Sequence, residues 1–60
     1  MMKNEKVMVS QDAPYHAGRA GYFQFYAGED MDVAVIATQP DTKEPFVVFA
    51  VAKEHCFPVL

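Results

Sequence analysis

The apolar residues of this chain fall into short runs that alternate or cluster over a few positions, separated by Gly, Pro, Asp and Asn, and none recurs with helical spacing over a useful length. That pattern predicts short strands and no long helix. "EKVMVS" (5–10) is the first, with Val7 and Val9 pointing one way and Met8 the other. "QDAPYHAGRAG" (11–21) reads as a long loop, because Pro14 cannot donate to a ladder and Gly18 and Gly21 free the backbone to turn. "YFQFYA" (22–27) is the second strand, ended by the "GED" turn at Gly28. "MDVAVIAT" (31–38) is the third, "QPDTKEP" a polar tip, and "FVVFAVA" (46–52) the fourth. "KEHC" then reads as one tight helical turn of the 3-10 kind, and "FPVL" as a short terminal strand at a sheet edge, since Pro58 lacks a donor.

The expected fold is therefore all-β, with five short strands, one long early loop, two hairpins and a 3-10 turn before the last strand. This is the element order of a small SH3-like five-stranded barrel. The alternative is an open antiparallel meander that covers its exposed face by dimerising. Sixty residues make a single domain, 1–60, with residues 1–4 read as a flexible lead.

Alternation assigns faces. In the second strand Phe23 and Phe25 share one side, read as core, while Tyr22, Gln24 and Tyr26 share the wetter one. In the third, Asp32 marks its own side as outer, which sends Ala34 and Ile36 outward and Val33 and Val35 inward. The fourth is apolar on both sides, so one set needs a cover. Tyr22, Tyr26, Ile36, Phe46 and Val48 then form an outward apolar patch. Its cover is the 11–21 loop, a second copy of the chain, or another partner.

Composition narrows the function classes. At 52% hydrophobic and 22% charged, the chain is too apolar for a disordered segment. Its longest apolar run, 46–52, is far shorter than the roughly 20 residues a bilayer needs, and the N-terminus has no apolar signal core, so a cytoplasmic protein without a membrane partner is expected. The single Cys56 cannot form an internal disulfide. Eight acidic residues outweigh five scattered basic ones for a net charge of −3, which disfavours a phosphate-binding face.

The loop and the first two strands resemble the KOW motif of SH3-like barrels in ribosomal proteins and transcription elongation factors. The matching residues are Val7 and Val9, "APY" (13–15), and "GRAG" (18–21) running into an aromatic strand. The resemblance implies a nucleic-acid-binding module. His16 and Ala17 stand as an insertion before the first glycine, and the lysines of the KOW loop are reduced to Arg19, which weakens that role while leaving the fold expectation in place.

Chemistry-bearing residues are few. His16, His55 and Cys56 do not have the spacing of a zinc site, and His55 is poorly placed to activate its neighbour Cys56, which reads as a small core hydrophobe. Glu29, Asp30 and Asp32 lack the pattern of a calcium loop and read as a solvated turn. A fold this small is expected to offer almost no pocket of about 300 Å³ or more, so no catalysis, metal or cofactor is expected. The candidate binding residues are Tyr15, His16 and Arg19 on the loop and Tyr22, Gln24 and Tyr26 on the strand, since rings beside an arginine can grip a peptide or stack a base. Three functions follow as expectations: a non-enzymatic protein-interaction module, a KOW-like nucleic-acid binder, or a phage or plasmid accessory protein that inhibits a host complex.

Overall fold

The computed structural model describes residues 1–40 and 47–59. The strands are β1 (Lys6–Val9), β2 (Ala20–Ala27), β3 (Val33–Ala37), β4 (Val48–Ala52) and β5 (Cys56–Pro58), with a 3-10 turn over Lys53–His55. All neighbours are antiparallel in one five-stranded sheet ordered β4-β3-β2-β1-β5. The all-β expectation and the single turn before the last strand hold. Phe46, the "DTKEP" part of the polar tip and Leu60 lie outside the described residues.

The closed barrel does not follow from these strands, because no ladder joins the end strands β4 and β5. The 3-10 turn separates them, and β5 is only three residues long and ends on Pro58, which has no N–H to give. The sheet nevertheless curls onto itself. Val51 of β4 and Cys56 of β5 meet Val7, Val9, Phe23, Ala34 and Ile36 in a single core. Each fully buried valine, isoleucine or phenylalanine contributes about 1.5–3 kcal/mol.

The face assignments need correction at one residue in β2. The β2–β3 register runs Phe23 opposite Ile36 and then Phe25 opposite Val35, so Gln24 is an extra, bulged residue. Alternation reverses after it. Phe23 stays inside, but Phe25, expected in the core, is 56% exposed. Tyr26, expected outside, turns inward against Phe23 with ring centroids 4.8 Å apart. Gln24 itself, expected on the wet face, is only 8% exposed. Its Nε2 donates to Asn4 Oδ1 (3.0 Å) and to the Tyr22 carbonyl (3.1 Å), so the buried amide is satisfied. The Asn4 N–H in turn donates to the Phe23 carbonyl (2.6 Å), tying residue 4 to the bulge.

In β3 the expected sides are also exchanged: Ala34 and Ile36 are fully buried, while Val33 and Val35 lie half-buried on the other face. Asp32 is a poor guide to the faces because it lies before the strand, in the hairpin that contains the left-handed Met31 (φ 55°). There its exposure reports the hairpin and not a face of the sheet. In β4 the ambiguity resolves with Phe49 and Val51 inward, opposite Ile36 and Ala34, and Val48 and Ala50 outward.

Gly21 is required by close approach. It faces inward opposite Val7, and a Cβ there would stand 2.6 Å from both the Ala37 carbonyl oxygen and Ile36 Cγ2. The missing side chain is the space that lets Ile36 fill the centre.

Candidate interaction surface

The loop between β1 and β2 is the cover over the inward face of β4. It is pinned at its base by Val9 N–H to Arg19 O (2.7 Å) and Gly18 N–H to Val9 O (3.1 Å), and it turns through left-handed His16 (φ 60°) and Gly18 (φ 75°). From there the His16 ring lies 4.7 Å from the Phe49 ring and the Arg19 guanidinium 4.8 Å from the same ring. Arg19 also donates to His16 Nδ1 (3.2 Å), so that nitrogen is an acceptor. Ala13 packs against the core beneath. Two of the expected binding residues, His16 and Arg19, are thus brought together on Phe49, a partner that sequence reasoning did not single out.

Tyr15 behaves differently. It projects from the loop 76% exposed. With Ala13, Pro14, Asp32, Val33, Ala50, Val51, Ala52 and His55 it lines a largely apolar groove of about 380 Å³. A concavity of this size exceeds what so short a chain is expected to hold. Its walls are the loop residues Ala13 to Tyr15 on one side and Ala50 to Ala52 of β4 on the other. Nothing in the spacing of Pro14, Ala50 and Ala52 announces it.

The outward face continues from the groove. Phe25 lies opposite Val35, and Val35 opposite Ala50, so a row of apolar side chains crosses β2, β3 and β4 and ends on a groove residue. Tyr22, half-buried, stands one row away opposite Ala37 and Lys6, with exposed Val48 beyond. Of the expected outward patch, Tyr22 and Val48 are there, Ile36 and Tyr26 are inside, and Phe46 is outside the described residues. Phe25 takes the place given to Tyr26.

The polar groups near the groove form a short network. His55 Nδ1 is 3.7 Å from Asp12 Oδ1 and its Nε2 is 4.0 Å from Glu54 Oε1. The Ser10 hydroxyl donates to Asp12 Oδ1. That hydrogen bond, a backbone one and the charge of His55 hold the Asp12 carboxyl below its ordinary value. Ser10 bonds to the carboxylate and not to the imidazole. Cys56 is buried, and burial pushes its thiol up, away from the thiolate a nucleophile needs. Among the described residues no three His, Cys, Asp or Glu side chains gather as metal ligands, and no helix is long and apolar enough to cross a membrane. No protein-family model, curated protein or solved structure matches the chain.

Proposed function

We propose that the chain is a small non-enzymatic protein-interaction module, binding through the groove walled by Tyr15 and the outward row that starts at Phe25. The observation that carries this reading is the continuity of the two: Ala50 belongs to both the cross-strand row and the groove. Exposed aromatic rings next to a preformed apolar concavity are what protein partners bury at the centre of an interface. Arg19, the sole lysine or arginine of the loop, is engaged on Phe49, so the feature that a nucleic-acid reading most needs is spent on the fold.

The test is affinity capture from the producing cells with the wild-type chain and with a Tyr15→Ala, Phe25→Ser double variant. Both side chains are exposed, so the variant keeps its fold, which its amide NMR spectrum verifies. A partner retained by the wild type and lost by the variant is expected, and light scattering tells whether that partner is a second copy. Identical capture by both proteins overturns the reading. Retardation of RNA or DNA that vanishes in Arg19→Gln puts the nucleic-acid module in its place.

A further inference from the structure

We infer that the groove takes an extended, basic segment of a partner protein, added as a strand along the free side of β4. This rests on the interaction-module reading and names the partner's chemistry. The geometry begins with three consecutive residues. Ala50, Val51 and Ala52 all line the groove, yet successive side chains of a strand point to opposite faces. A groove touched by both sets passes over the strand's edge, and Val33, opposite Ala52, continues it onto the outward face of β3.

That edge is open. β4 is the end strand of the sheet, and no described strand pairs with its second side. End strands are commonly blunted by proline, charge or a bulge. Between Val48 and Ala52 there is none of these, and alanine at positions 50 and 52 leaves the backbone uncovered. Opposite stands the loop wall of Pro14 and Tyr15, so a chain entering the groove meets a strand edge on one side and an apolar wall on the other. Backbone pairing then supplies affinity and alternate side chains supply selectivity.

The charge around the groove chooses the occupant. Asp32 lines it, and Asp12 and Glu54 flank its His55 from either side. Among the described residues lining these grooves, Lys53, beside Asp32 and Glu54, is the one lysine or arginine. Three carboxylates against one ammonium favour lysine or arginine side chains flanking the apolar ones that enter.

Fluorescence anisotropy with three labelled peptides tests this: one alternating valine with lysine, one alternating valine with glutamate, and one alternating glycine with lysine. The valine–lysine peptide is expected to bind at least tenfold tighter than either other, and to slow hydrogen exchange at the Ala50 and Ala52 amides, which face away from β3. Tyr15→Ala is expected to weaken it about tenfold, and Asp12→Asn with Asp32→Asn about three- to tenfold, with a smaller salt dependence. Equal binding of the glutamate peptide, or binding without protection in β4, overturns the inference. Should no peptide bind while capture of a protein partner still depends on Tyr15 and Phe25, the basic-strand inference falls and the interaction module stands. Should capture also be independent of them, both fall.

Discussion

Phe23 and Tyr26 pack ring against ring, 4.8 Å between centroids, although they are three residues apart on one strand. In a regular strand such residues face opposite sides of the sheet. The Gln24 bulge brings them together, and the same bulge places Phe25 outside. Stability should follow this arrangement and not simple alternation. Tyr26→Ala is expected to lower unfolding stability by about 1–3 kcal/mol, through loss of a partly buried ring. Phe25→Ala is expected to cost less than about 1 kcal/mol. Urea titrations of the two variants give the comparison, and an equal or reversed order would contradict the bulge.

Gly21 makes a stricter demand. A methyl group at this position would stand 2.6 Å from the Ala37 carbonyl oxygen, a backbone atom that cannot rotate away as a side chain can. Gly21→Ala is therefore expected to destabilise by at least about 1–3 kcal/mol, as overpacking does. Thermal melts read this directly. An unchanged melting temperature would mean that β2 and β3 do not approach so closely.

Arg19 is a test of how the loop is held. Its guanidinium faces the Phe49 ring and donates to His16, a geometry that a lysine ammonium does not reproduce. Arg19→Lys is expected to cost about 0.5–1 kcal/mol and to raise hydrogen exchange at loop amides while leaving those of β1 and β3 unchanged. No change in the loop would show that Ala13 and the backbone bonds to Val9 suffice.

The Asp12 carboxyl supplies the pH dependence. Its folded value is depressed, so the unfolded chain binds the proton more tightly, and stability rises with pH between the folded and unfolded values. The contribution is full above the ordinary aspartate range and is lost as pH falls through the folded value. A carboxyl-detected NMR titration is expected to place Asp12 below an unperturbed aspartate, and Ser10→Ala to move it upward, because the Ser10 hydrogen bond is the largest cause. If the midpoint stays put in Ser10→Ala, the backbone hydrogen bond and His55 hold it instead.

The sequence by itself determined the class of the fold and the count and order of its strands. Short apolar runs punctuated by Gly and Pro admit little else, and Pro58 and the "KEH" turn mark the last strand wherever the chain is placed. It also pointed to the 11–21 loop, where Tyr15, His16 and Arg19 are the conspicuous side chains. What it could not determine were the faces. Period-two reasoning carries a single slip to every later residue of a strand, and the slip at Gln24 is a property of the β2–β3 pairing, with no mark in "YFQFYA" itself. The tertiary structure alone decided that Phe25 is outside, that Ile36 fills the space left by Gly21, and that Tyr15 and β4 line one groove. Each depends on the separation of two segments distant in sequence, which is set by packing and not by either segment's own pattern.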